Sequence, residues 1–202
     1  MKWKNVLKML VILAVFIVGM SCASAGFFDF MGGGNGNGNA NTNNGGPLLT
    51  SGNYKVGDDL PPGEYYVQCT SSNLYVEVSP APSNRIDDIV YNLNTEGGAY
   101  ITLESWEYLE IDGGSLYELD DAPYIGPDED GYYREGMYKV GKDIPEGQYK
   151  VESLGSSGYY EILSNSRHVD IVSNDYFESG TRTINLNDGE YLVLGMDTQI
   201  KA

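Results

Sequence analysis

Few residues in this 202-residue chain are equipped for chemistry at a reacting bond. His168 is the single histidine, set in Ser166-Arg167-His168-Val169-Asp170 at an expected strand entry. A catalytic imidazole needs a nucleophile within reach, and no G-x-S-x-G elbow, P-loop or zinc-ligand spacing accompanies it. The two cysteines, Cys22 and Cys69, lie far apart. Cys69 ends Gly-Glu-Tyr-Tyr-Val-Gln-Cys, which reads as a core strand, so a buried thiol is expected. Carboxylates are plentiful, 29 Asp and Glu against 12 Lys and Arg. A hydrolase using two carboxylates is therefore permitted by residue type, although the plainer role of so many acids is to solvate a surface. Asp128-Glu129-Asp130-Gly131 resembles the start of a calcium loop but lacks the closing Glu at position 12. Asp128 and Asp130 are thus a weak calcium alternative to an ordinary acidic linker. The expectation is no catalytic residue, no metal and no cofactor.

The elements that would position any site come from an internal repeat. Residues 54–67, YKVGDDLPPGEYYV, match 138–151, YKVGKDIPEGQYKV, at an offset of 84. The match continues as Tyr75-Val76-Glu77-Val78 against Tyr159-Tyr160-Glu161-Ile162, and as Asp88-Ile89-Val90 against Asp170-Ile171-Val172. It closes as ITLESWEYLEI (101–111) against INLNDGEYLVL (184–194). The pattern divides the chain into a β repeat at 51–113, an acidic linker at 114–136 and a second β repeat at 137–202. Short runs rich in Tyr, Val and Ile, with period-two alternation, predict five or six strands per copy. Pro-x-Gly turns separate them, and Asn187-Asp188-Gly189 predicts a hairpin. No helical period follows residue 25. The fold class is all-β, two small sandwich-like or barrel-like repeats. About 60 residues is a marginal core, so the copies are expected to pack on one another.

Alignment of the closing strands sets Ser105-Trp106 where the second copy has Asp188-Gly189. A turn tip offers an indole no core to fill. Trp106, with Tyr132 and Tyr133 of the join, is the candidate ligand-binding set, suited to stacking on a sugar ring or anchoring a protein contact. The competing expectation is that Trp106 folds back on Tyr124, Tyr132 and Tyr133 and fills space. Gly57 and Gly141 precede the D-[LI]-P turn and answer a backbone demand.

The opening Y-x-V-G-x-D-[IL]-P-x-G-x-Y and the closing D-G-E-Y-L resemble a small β-repeat module. That module occurs in exported and lipid-anchored proteins of Gram-positive bacteria and methanogenic archaea. The second copy is the closer match, and the resemblance spans roughly 125 residues. It implies a cell-surface β module and points to no particular activity or ligand. Some exported relatives carry a cysteine pair that looks like a disulfide; here Cys69 faces Ser153 at the matching position, so the pair is missing.

The first 25 residues carry Lys2, Lys4 and Lys8, an apolar run from Met9 to Met20, and Ala23-Ser24-Ala25. This is the layout of an export signal cut after Ala25. Cys22 after Gly19-Met20-Ser21 is a lipidation alternative, with Gly19 departing from the pattern. An uncleaved anchor over Met9–Phe28 is the third. Residues 26–50, rich in Gly and Asn, read as a disordered linker. The formal net charge of −17 argues against nucleic acid, whose capture needs Lys and Arg. It argues equally against an anionic lipid surface, leaving membrane contact to the N-terminal segment. The expected function is an exported, non-enzymatic surface module binding envelope polymer or a partner protein. A purely structural acidic spacer and the two-carboxylate hydrolase are the alternatives.

Overall fold

The computed structural model describes residues 45–82 and 88–202. The export segment with Cys22 and Ala25, and the linker up to residue 44, lie outside the described residues. Strands account for the architecture, with no α-helix among the described residues. The first copy contains β1 (Gly52–Lys55), β2 (Gly63–Cys69), β3 (Leu74–Ser79), β4 (Tyr91–Thr95), β5 (Ala99–Leu103), β6 (Tyr108–Asp112) and β7 (Gly114–Glu118). The second contains β8 (Tyr132–Tyr133), β9 (Gly136–Lys139), β10 (Gly147–Leu163), β11 (Ile171–Leu186), β12 (Tyr191–Gly195) and β13 (Thr198–Lys201).

The first copy is a sandwich. Its four-stranded sheet runs β1-β6-β3-β4 and its three-stranded sheet β5-β2-β7. Alternation builds the core: on β3, Leu74, Val76 and Val78 point inward while Tyr75 and Glu77 point out. They meet Leu109 and Ile111 of β6 and, from the other sheet, Val67, Ile101, Leu103 and Leu116. The second copy repeats this around Val151, Ile162, Ile184, Leu192, Leu194 and Ile200. There β10 and β11 each run through both sheets, with a register break between Ser153 and Ser157. One continuous sheet, β8-β13-β10-β12-β9 with β11 on β10, is the result.

The repeat extends further than its sequence signature. β7 pairs with β2 (Val67 opposite Leu116), and β13 pairs with β10 (Glu152 opposite Gln199). Leu49 bridges Leu116 just as Tyr133 of β8 opposes Ile200. The unit therefore runs from about Leu48 to Glu118 and from Tyr132 to Lys201. This corrects three expectations. The first copy has seven strands, not five or six, while the second has six, two of them long enough to serve both layers. The join shrinks to 119–131, because 114–118 form β7 and β8 already begins at Tyr132. The linker ends before residue 48, whose N–H donates to the Leu116 carbonyl at 2.7 Å. Only Leu49/Tyr133 and Leu116/Ile200 mark these outer strands, too few apolar positions to show a repeat.

The Asn187-Asp188-Gly189 turn is not a hairpin. The strand before it, β11, pairs with β10, and the strand after it, β12, pairs with β10 and β9. It turns a corner between the layers, and so does Glu104–Glu107 between β5 and β6. Residues 43–202 form one compact unit. Tyr66, Ala99, Tyr100, Met137, Leu163 and Tyr191 make a third apolar cluster with members from both copies, so each copy covers surface the other cannot bury alone.

Candidate functional site

The corner that carries Trp106 is built identically in both copies. The N–H of Trp106 donates to the Val56 carbonyl at 3.2 Å, as Gly189 does to Val140 at 3.1 Å. The Glu107 carboxylate accepts from the Glu104 N–H at 2.6 Å, as Glu190 does from Asn187 at 2.8 Å. The facing loops match as well: Asp59 caps the N–H of Lys55 at 2.7 Å, and Asp143 that of Lys139 at 2.8 Å. Gly57 and Gly141 there have φ of 99° and 88°, the left-handed region that glycine enters freely. This framework demands a positive φ at the corner. Gly189 supplies it at 83°; Trp106 adopts it at 73°, in the first copy. For a bulky residue that conformation costs about 1–3 kcal/mol.

Nothing in the core offsets that cost. The indole is 70% exposed, so Trp106 does not fold back on the join. The Lys55 ammonium lies 5.6 Å from its ring centre and 2.7 Å from Asp58, whose hydrogen bond raises the lysine pKa. The corner itself is held rigid. Arg167 of the second copy donates to both oxygens of Glu107, at 2.7 and 3.2 Å. The site offers an exposed aromatic face with a cation beside it.

The other predicted residues do not join it. Tyr133 is buried in the second core and donates its hydroxyl to the Asp143 carbonyl at 2.8 Å. As the twin of Leu49, paired with Ile200, it is a core residue, which corrects the expectation of a ligand contact. Tyr132 lies between Arg134 and Lys201, whose cations stand 5.0 and 4.2 Å from its ring. Asp128 is spent on its own loop: it accepts from the N–H groups of Asp130 and Tyr132 at 3.0 and 2.9 Å and pairs with Arg134 at 2.6 Å. Those bonds, the Tyr132 N–H first, hold its carboxyl below the usual range. Asp130 meets Lys201 through its carbonyl. The Asp128 oxygens that a calcium loop would turn toward an ion face backbone N–H groups and a guanidinium instead. Cys69 is half-buried at the end of β2 against the first core, with its thiol donating toward the Ser71 carbonyl at 3.4 Å.

The densest polar chemistry lies at the junction between copies, which sequence inspection missed. Glu64 accepts from Lys139 Nζ and Ser166 Oγ, each at 2.8 Å, and from the Tyr191 hydroxyl. Burial works to raise its pKa, but these bonds, Lys139 first, win and the carboxyl lies below its ordinary 4.5. Tyr100 is fully buried and donates to Asp143 at 2.7 Å; burial, then Asp143, raises its hydroxyl. His168 lies in the turn before β11, with φ of 58°. It stacks on Tyr91 with centroids 5.4 Å apart, and its Nε2 meets the Tyr100 carbonyl at 3.0 Å. Burial lowers its pKa, so the neutral ring is favoured. A signal for this junction exists in the repeat: Glu64, Tyr66 and Tyr100 align with Gln148, Lys150 and Thr183. Positions that differ between copies of one framework mark where only one copy is covered. A shallow open notch beside the junction is lined by Leu119, Ala122, Pro123, Ile125, Lys142 and Asp143.

Compared with known proteins, the chain matches no family model, and no curated protein is significantly similar to it.

Proposed function

We propose that the chain is an exported, non-catalytic surface module. In this reading the segment ending at Ala25 carries it out of the cell, by cleavage, through Cys22 or as an anchor. Trp106 then serves as the contact residue for a cell-envelope polymer. The observation that carries the proposal is the exposed indole in a left-handed conformation that Gly189 occupies in the twin corner. An observed outlier of this kind supports a functional assignment. The formal net charge of −17 is consistent with a role away from nucleic acid and anionic lipid. Glu77 and Glu110 stand opposite each other on an open sheet face, not across a cleft, which weighs against the two-carboxylate hydrolase. The tight junction between copies suits the second reading, a stiff acidic spacer.

Indole fluorescence tests the proposal directly. Trp3 lies in the export segment, so residues 43–202 contain Trp106 as their single tryptophan. Titration with soluble polysaccharide from the cell's own envelope should shift or quench its emission. Affinity electrophoresis in the same polymer should retard the parent and not Trp106→Ala. Unshifted emission with equal mobility of both proteins would favour the spacer.

A further inference from the structure

The two copies meet through different faces. The first copy contributes the outer face of β2 and β5 (Glu64, Tyr66, Tyr100, Thr102). The second contributes the outer face of β9 and β12 with the adjoining loop (Met137, Lys139, Asp143, Tyr191). Such a contact is head to tail, and it leaves one of each kind of face unused at the two ends of the molecule. At one end stand Gln148, Lys150, Thr183 and Asn185 of β10 and β11, all exposed. They are the twins of Glu64, Tyr66, Tyr100 and Thr102, with the same cross-strand register: Lys150 opposes Thr183 as Tyr66 opposes Tyr100. At the other end stand Asn53, Lys55, Asp59, Tyr108 and Glu110, the twins of Met137, Lys139, Asp143, Tyr191 and Val193, all exposed or half-buried.

We propose that the protein associates with further copies of itself head to tail, the β10–β11 face of one molecule docking on the β1–β6 face of the next. The contact already present inside the chain is its template. The polar pairs that Glu64 makes with Lys139 and Tyr191, and Tyr100 with Asp143, have complementary twins. Glu64 with Lys139 and Tyr191 becomes Gln148 with Lys55 and Tyr108, an amide oxygen in place of the carboxylate. Tyr100 with Asp143 becomes Thr183 with Asp59, again hydroxyl to carboxylate. Tyr66, packed in one cluster with Met137, becomes Lys150 brought against Asn53. Glu110 is the register partner of Asn53, and Glu77 is that of Glu110. Two like charges directly opposite on neighbouring strands are unfavourable alone, and no ion pair among the described residues neutralises either one. An incoming Lys150 does so. The apolar members of the internal contact are missing from the two outer faces: Asn53 and Glu110 replace Met137 and Val193, and Thr183 replaces Tyr100. The association is therefore weak and reversible, suited to molecules concentrated on one surface.

Sedimentation velocity of residues 43–202, the unit that holds all three apolar clusters, tests this at physiological ionic strength, where the overall negative charge is screened within about 8 Å. The weight-average mass should rise with concentration toward about 1 mM. Lys150→Glu and Glu110→Lys alter exposed charges and each alone should remain monomeric, with unchanged circular dichroism. In their mixture the intact faces pair with each other and the two exchanged charges are again of opposite sign, so the mixture should regain growth with concentration that neither variant shows alone. A parent that stays monomeric throughout, or growth unaffected by either single substitution, overturns the proposal. Continued self-association of one variant alone also overturns it, because that marks a contact through like faces.

Discussion

Glu64→Gln is a change that the molecule already carries at the twin position, Gln148, and the two positions should respond very differently. At the junction Glu64 accepts three hydrogen bonds from the second copy. Glutamine keeps one acceptor oxygen for Tyr191 and Ser166 and turns an NH2 toward the Lys139 ammonium. One charge-assisted bond is lost, a contribution of about 1.5–3 kcal/mol when well shielded. Both side chains retain some exposure, 28% for Lys139 and 21% for Glu64, so water recovers part of it and the net loss is about 1–2 kcal/mol. For a unit of this size the melting temperature should fall by about 3–6 °C. Urea unfolding followed by circular dichroism measures this, with Gln148→Glu, an exposed change, as the neutral control. The pH dependence adds a second check. The folded carboxyl lies below its ordinary 4.5, so its contribution is complete above that value and disappears as the pH falls through the folded pKa. Parent and variant curves should therefore converge in acid. Equal stability at neutral pH would refute the assigned role of the junction, as would a gap that persists in acid or a control as costly as the variant.

Three further perturbations have defined outcomes. Burial pushes the Glu161 carboxyl up to about 7, against a hydrogen bond from Tyr159 that works to lower it. The folded chain then holds a proton that the unfolded chain releases, so stability should fall as the pH rises from 4.5 to 7. Glu161→Gln should be more stable than the parent at pH 8 by about 1–3 kcal/mol and equal to it near pH 4; a parent with flat stability across that window contradicts this. A Cβ on Gly97 would stand 2.1 Å from the Glu135 carbonyl oxygen, so Gly97→Ala should cost at least about 2 kcal/mol by prying the copies apart. Gly46→Ala, which meets nothing, should be silent, and equal melting of the two would show that the copies do not press together there. Trp106→Gly relieves about 1–3 kcal/mol of left-handed strain and costs about 0.5–1 kcal/mol of chain entropy. Its unfolding midpoint should hold or rise, and a clear drop would mean that the indole packs.

The all-β class was legible in the residues, because it rests on short-range signals. Alternation at Leu74, Val76 and Val78 marks a half-buried strand wherever it lies. The paired Gly57 and Gly141 loops answer local backbone demands that tertiary context does not alter. Alignment with a turn glycine left Trp106 either exposed or folded back on the join, and only the tertiary structure decided for exposure. Tertiary structure decided what pairs with what. Asn187-Asp188-Gly189 has the local chemistry of a hairpin, yet its flanking strands belong to different layers, because β12 finds better partners in β9 and β10. Tyr133 looked like a linker aromatic until β13 placed it in a core. Glu64, Tyr100, Arg167 and His168 acquired their roles only when two copies of one framework met through unlike faces. That meeting joins residues about 100 positions apart in the chain, such as Glu64 and Ser166, and no local spacing rule encodes such a contact.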